Sequence, residues 1–255
     1  MKMKQIGFSL TELLISMVLG AFLLAGLFTV YLGNKKTYET EENLARMQEN
    51  GRLALQFLNR DVRMAGYMGC LRSTMANRLI IWHTSEDIDP SLVDIKIPAV
   101  PNTDILFIQS LDSNTSSIQS ITDNTLILQG SNDFKEGDKL LLSNCEEANE
   151  VTVIYTLKQK LILNIAPKNY LPETTEIGHL QKIIYYIGKT KRKDHAGKSI
   201  LALYRFDLNG PANQSKELIE GVENMQLILE KNILKVSLLI NNKLWNAAIK
   251  LREAE

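Results

Sequence analysis

Two different hydrophobic patterns divide this chain. From Phe8 to Leu32 apolar side chains face every direction of a helix, with one charge, Glu12. That run is long enough to cross the hydrocarbon core of a bilayer as a helix. A polar stretch, NKKTYETEEN, follows Gly33. Leu44, Met47, Gly51, Ala54, Leu58, Val62 and Ala65 then recur at steps of three and four, the stripe of an amphipathic helix. No proline occurs between Phe8 and Tyr67, so one helix is predicted over 8–67, with 8–32 its transmembrane half. Gly66 and Gly69 are placed to end it, with Cys70 just beyond. Gly20, Gly26 and Gly33 either weaken the inner half or let helices approach closely in lipid.

From Leu71 onward the pattern changes to short runs of Ile, Leu, Val and Tyr between Asn, Asp, Gly and Pro clusters. Strands are predicted at 79–82, 105–109, 125–128, 139–142, 151–156, 161–165, 182–187, 201–206, 225–229, 234–240 and 247–251. Residues 132–138 and Asn241-Asn242 read as turns. The Ser/Thr/Asn-rich segment 110–123 reads as an exposed loop or edge hairpin. A long helix followed by many strands gives an α+β fold, with an antiparallel sheet against the helix. The predicted organisation is a short leader at 1–7, the helix at 8–67 and a β-rich globular head at 68–255.

Composition adds little to that picture. Hydrophobic residues at 45%, charged residues at 23% and a net charge of zero are ordinary globular values, with no overall pull toward nucleic acid or anionic membrane. The two cysteines, Cys70 and Cys145, are too far apart for a CxxC redox or zinc motif. In an exported domain such a pair forms a structural disulfide more often than two free buried thiols. Closing that loop would contribute on the order of 4 kcal/mol in the chain-entropy model.

The first residues, MKMKQIG, place Lys2 and Lys4 ahead of the apolar run, and positive flanks stay cytoplasmic. No A-x-A-like cleavage site follows the run, so the segment reads as retained. Glu12 stands out, because a carboxylate inside an apolar helix costs about 2.5–3.5 kcal/mol on insertion scales. It either reaches the headgroup region or finds a partner. The string Gly7-Phe8-Ser9-Leu10-Thr11-Glu12 resembles the processing site of type IV prepilins and type II secretion pseudopilins. The resemblance implies cleavage of the Gly7–Phe8 bond by a membrane prepilin peptidase and methylation of the new Phe8 amine. It also implies that Glu12 pairs with a neighbouring subunit's terminal amine, two groups costly in lipid neutralising one another.

Several later stretches resemble the PilW family of type IV pilus minor pilins. They are NGRLALQFLNRDVRMAGYMGC at 50–70, EGDKLLLSNCEEANEVT at 136–152, Leu203-Tyr204-Arg205, and ELIEGVENMQ at 217–226. The resemblance implies a pilin-like fold, a Cys70–Cys145 disulfide and a non-enzymatic role. Such subunits join other minor pilins and the major pilin in a complex that primes filament growth at the tip, with a PilY-type adhesin. The implied location is the inner membrane, with a periplasmic head, and then the pilus tip. The segment AAIKLR at 247–252 matches the family's last strand only loosely.

Other chemistry is sparse. His83, His179 and His195 have no metal-ligand spacing, and no nucleophile elbow, P-loop or dinucleotide fingerprint occurs, so neither cofactor nor metal is expected. Glu146-Glu147 reads as a solvated face, and Asp207-Leu208-Asn209-Gly210 as an Asn-Gly turn in place of a calcium loop. One basic cluster, Lys189, Lys191, Arg192, Lys193 and Lys198, fits a solvated hairpin better than a contact loop for a subunit or for DNA. It has no interleaved aromatic residue to stack on bases. Rival readings are a minor pseudopilin of type II secretion and a signal-anchored periplasmic enzyme or ligand-binding domain.

Overall fold

The computed structural model describes residues 9–71, 79–130, 132–194, 196–209 and 215–251. One α-helix, α1 (Leu10–Met64), precedes thirteen strands among these residues. The chain forms two compact units, Met1–Glu49 and Asn50–Glu255, and the boundary falls within α1.

In the first unit nearly every side chain is exposed, and the apolar part of α1 is long and apolar enough to cross a membrane. Its hydroxyls bond back to the helix, Ser16 Oγ to the Leu13 carbonyl and Thr29 Oγ1 to the Ala25 carbonyl, each at 2.9 Å. This satisfies polar groups that lipid could not. Past Gly33 the helix turns polar, and ion pairs four residues apart, Lys35–Glu39 at 3.9 Å and Glu42–Arg46 at 2.6 Å, lie along it.

In the second unit the end of α1 buries Gly51, Ala54, Leu58 and Val62, positions of the predicted three-four stripe, together with Asp61, which that stripe does not include, while Leu44 at the start of the stripe is exposed. The helix stops at Met64, three residues before the predicted end, because Gly66 adopts φ +75° and its N–H turns to the Gln109 carbonyl at 2.9 Å.

The strands are β1 (Leu79–Trp82), β2 (Ile105–Leu111), β3 (Ser116–Thr122), β4 (Thr125–Leu128), β5 (Lys139–Ser143), β6 (Ala148–Leu157) and β7 (Lys160–Leu163). They continue with β8 (Glu176–Lys193), β9 (Ser199–Asp207), β10 (Ser215–Glu220), β11 (Val222–Glu230), β12 (Ile233–Ile240) and β13 (Lys243–Lys250). All pairings among them are antiparallel.

The 18-residue β8 organises the head. Its first residues pair with β3 on one side and β5 on the other, closing a ring in the order β8-β3-β4-β7-β6-β5. Ile118, Leu126, Leu140, Leu142, Val151, Val153, Leu161, Leu163 and Ile177 fill its interior. Closure leaves the ring without a free edge.

The rest of β8 lies in an open sheet, β1-β2-β8-β9-β10. One face holds Trp82, Phe107, Ile184, Tyr186 and Phe206, covered by Val93 and Ile97 from the segment before β2. Tyr185 and Arg205 reach from the opposite face to Asp61 of α1. With both faces covered, β2 reads as a continuous apolar run instead of an alternation.

The last three strands form a separate meander, β11-β12-β13, whose β12–β13 turn is Asn241-Asn242 with φ +46° and +61°. That is the turn read from the sequence, and two positive φ values favour asparagine.

Segment 110–123, read as a loop or edge hairpin, contains β3, which does form a hairpin with β4 but lies inside the closed ring. Only Ile118 and Ile121 point to a strand there, and a bulge between Ile118 and Ser120 breaks their alternation. Strand β10 is likewise absent from the predicted set. Strand β8 extends well beyond the predicted 182–187, since ladder pairing holds its polar ends.

Candidate functional site

Ser9 is the first described residue, and Leu10 opens α1. The Ser9 backbone N–H donates to Glu12 Oε2 at 3.2 Å, and the Glu12 N–H donates to the Ser9 carbonyl at 3.1 Å. The Ser9 and Thr11 hydroxyls bond each other at 2.7 Å. This is the glutamate half of a capping box, in which the side chain at the third helical position turns back to the N-cap amide. Glu12 therefore has a partner within its own subunit. The S-x-x-E spacing directly before the apolar run was the available signal, and reading Glu12 only as a charge in lipid overlooks it. Gly7 and Phe8 lie outside the described residues.

A second constellation fixes the end of α1 within the head. Asp61 Oδ2 accepts from the Tyr185 hydroxyl at 2.7 Å and from Arg205 Nε at 2.8 Å, and Oδ1 accepts from Arg60 Nε at 3.1 Å. Asp61 is only 5% exposed, so it needs these partners. Burial, followed by the charge of Asp61, holds the Tyr185 phenol protonated far above its ordinary range. Burial opposes the charge on Arg205, but the hydrogen bond and charge of Asp61 outweigh it and push its pKa up. Burial also raises the Asp207 carboxyl, against the opposing Asn209 N–H and Arg205.

About three turns earlier on α1, Asn50 Nδ2 donates to the Glu220 carbonyl at 3.3 Å. A Cβ placed on Gly51 would lie 2.6 Å from the Trp245 ring, so only glycine lets the helix meet β13 this closely.

Past the helix end, Cys70 is disulfide-bonded to Cys145 in the β5–β6 turn, with Cα atoms 4.6 Å apart across a sequence separation of 75. Met68, Leu71, Leu141 and Ala148, which flank the two cysteines, share one apolar cluster with Leu111 and Leu180. The Ser143 hydroxyl ties β5 to the Met68 carbonyl.

Four stretches distant in sequence thus meet in the head. Residues 50–70 touch Cys145 of 136–152, Arg205 of 203–205 and Glu220 of 217–226. The basic cluster lies on the β8–β9 hairpin and reaches one of these stretches, 217–226, through a single residue. Arg192 is bound by Glu217 and, at 3.0 Å, by Glu220, while Lys189, Lys191, Lys193 and Lys198 are exposed.

His83 Nδ1 meets Asp104 Oδ1 at 2.8 Å, and His179 lies edge-on to Phe134. His195 lies outside the described residues. The Glu146 and Glu147 amides donate to Asn144 Oδ1, and the Asn209 amide to Asp207 Oδ1, which makes both segments side-chain-closed turns. Among the described residues no group of three or more His, Cys, Asp or Glu is placed to hold a metal ion.

No curated protein and no solved structure matches the chain. Residues 2–28 match a family model described as the prokaryotic N-terminal methylation motif. The motif implies processing by prepilin peptidase and assembly with other pilins, and together with the apolar helix it fits a membrane-anchored subunit. The match thereby supports a type IV pilin or pseudopilin, a structural subunit in preference to an enzyme.

Proposed function

We propose that this chain is a PilW-like minor pilin, a structural subunit of the complex that primes type IV pilus assembly and sits at the tip. The observation that carries the reading is the meeting of residues 50–70 with Cys145, Arg205 and Glu220. Those are the stretches that resemble the PilW family, and a subunit of this kind needs its anchor helix fixed to its head. Prepilin peptidase adds water across the Gly7–Phe8 bond, and methylation then modifies the Phe8 amine. In the assembled filament Glu12 exchanges the Ser9 amide for a neighbour's charged amine, a charge-assisted and stronger bond. Other minor pilins, the major pilin and a PilY-type adhesin are the partners. A minor pseudopilin of type II secretion shares the N-terminal motif, and copurifying subunits discriminate the two.

Mass spectrometry of sheared filaments is the direct test. The expected result is a mature chain beginning at methylated Phe8. Intact precursor, or absence of the chain from filaments, overturns the reading. Glu12→Ala is expected to be cleaved normally but to enter the complex poorly, whereas Gly7→Ala leaves uncleaved precursor. Normal incorporation of Glu12→Ala would show that the amine pairing is dispensable.

A further inference from the structure

The Ser/Thr/Asn-rich segment 110–123 supplies β3 to the closed ring, but its first part is a loop outside that ring. Residues 112–115 join β2 to β3, and with Ser116 they read Asp-Ser-Asn-Thr-Ser. Asn114-Thr115-Ser116 is an Asn-x-Ser triplet with no proline in the middle, the acceptor form for oligosaccharide transfer to an asparagine amide. Asn213-Gln214-Ser215 has the same form and lies mostly outside the described residues. Only Asn114 has an acid, Asp112, two places ahead of it, which is the longer form of the acceptor that bacterial transferases use.

The fold makes no use of the Asn114 amide. Asp112 Oδ1 closes the turn, accepting from the Ser113 hydroxyl at 3.3 Å and from the Asn114 N–H at 3.4 Å. The ends of the loop are fixed on β8, through the Asp112 N–H to the His179 carbonyl at 2.9 Å and through the pairing of Ser116 with Ile177. Its inner side also rests on β8, since a Cβ on Gly178 would lie 3.2 Å from the Thr115 methyl and 3.4 Å from the Asn114 carbonyl oxygen. The Asn114 side chain is left exposed, and neither its carboxamide nor the Ser116 hydroxyl has a partner among the described residues. These are the two groups by which a transferase recognises the triplet. The Cys70–Cys145 bridge and the apolar helix fit an exported head, where such transfer takes place.

We propose that Asn114 is an N-glycosylation site, accepting an oligosaccharide from a polyprenyl-diphosphate carrier through a membrane oligosaccharide transferase. A bond forms between Asn114 Nδ2 and the anomeric carbon of the sugar while the bond from that carbon to the carrier's diphosphate oxygen breaks. The diphosphate leaves with the bonding electron pair, the amide nitrogen gives up one proton to a base of the transferase, and nothing is oxidised or reduced. The product is a bulky polar group on an exposed loop, which disturbs no core side chain and no strand pairing. The site rests on export of the head and does not depend on the priming role.

The test is peptide mass spectrometry of the full chain purified from its own cells. Cleavage before aspartate releases residues 112–122, and fragmentation that keeps sugars attached locates any added mass. The expected result is a glycan mass on Asn114. Asn114→Gln should lose that mass with no change in melting temperature, since the carboxamide bonds nothing in the fold. Ser116→Ala should lose it and Ser116→Thr keep it, because the triplet needs a hydroxyl at that place. Asp112→Asn keeps an oxygen to close the turn but removes the acid, and should lower occupancy. An unmodified Asn114 in the natural chain overturns the proposal. So does a mass that survives Asn114→Gln, which would place the sugar on a neighbouring hydroxyl, or full occupancy in Ser116→Ala. Full occupancy in Asp112→Asn would overturn the part assigned to Asp112. The same spectra report the Cys70–Cys145 bridge, so bridged protein without a glycan would overturn this site and leave the pilin reading intact.

Discussion

Phe22 and Leu58 belong to the same helix, yet Phe22 is 81% exposed within its unit and Leu58 is fully buried within the other. The first part of α1 is apolar on every side and buries almost none of its side chains within its own unit, as a segment with lipid or neighbouring helices for solvent would. The last part is apolar on one stripe and meets the head through Ala54, Leu58 and Val62. Their glycines show the same contrast. A Cβ on Gly26 meets nothing within 4 Å, while one on Gly51 runs into the Trp245 ring. Their acids differ as well. Glu12 is held by the neighbouring Ser9 amide, but Asp61 is held by Tyr185 and Arg205, more than 100 positions away in sequence. One end of the helix is thus satisfied locally and the other only by the folded head.

The most severe way to break that comparison is Asp61→Ala. It leaves the half-buried Arg205 and the buried Tyr185 hydroxyl without the carboxylate they bond and should lower head stability by about 3 kcal/mol. Denaturant unfolding of the full chain in detergent checks this, and an unchanged midpoint would show that the lock is not needed.

A matched glycine pair sharpens the contrast. Gly51→Ala should destabilise the head by about 1–3 kcal/mol through overpacking against Trp245. Gly26→Ala adds helix propensity worth about 1 kcal/mol and should leave head unfolding unchanged. Equal effects in the same unfolding assay would remove the distinction between the two parts of α1.

The smallest effect concerns pH. Residues 10–64 contain no histidine, whereas in the head the hydrogen bond and charge of Asp104 raise the His83 pKa, with Asp87 adding to them against a little burial. A raised folded-state pKa gives stability that is fully present below about 6.5, the unfolded value, and is lost as pH rises through the folded value. His83 is largely exposed, so the gain is small and screened by salt. His83→Gln should therefore lower the melting temperature slightly at about pH 5.5 and not at about pH 8.5. A difference that persists at the higher pH would place the contribution of His83 outside its protonation.

Hydrophobic spacing was a good guide wherever burial is one-sided or complete. Strands β1 and β4 fall on their predicted boundaries, and the three-four stripe marks the buried side of α1. Spacing failed where pairing, not burial, makes the strand. Strand β3 presents mostly Ser, Gln and Thr, and the ends of β8 are polar, so only their ladder partners hold them extended. The candidate site divides in the same way. The Ser9–Glu12 cap spans three residues and was available to a local reading. The Asp61–Tyr185–Arg205 lock joins residues whose spacing carries no periodic signal.

By itself, the sequence determined the N-terminal motif, an apolar stretch long enough to cross a bilayer, the amphipathic end of α1 and the α+β class, because each depends on composition or spacing within a short window. Tertiary structure alone decided that β8 joins a closed ring to an open sheet and that Asp61 finds Tyr185 and Arg205. Those outcomes depend on which distant segments compete for the same backbone hydrogen bonds and the same buried charge, and that competition is settled only when the whole head is folded.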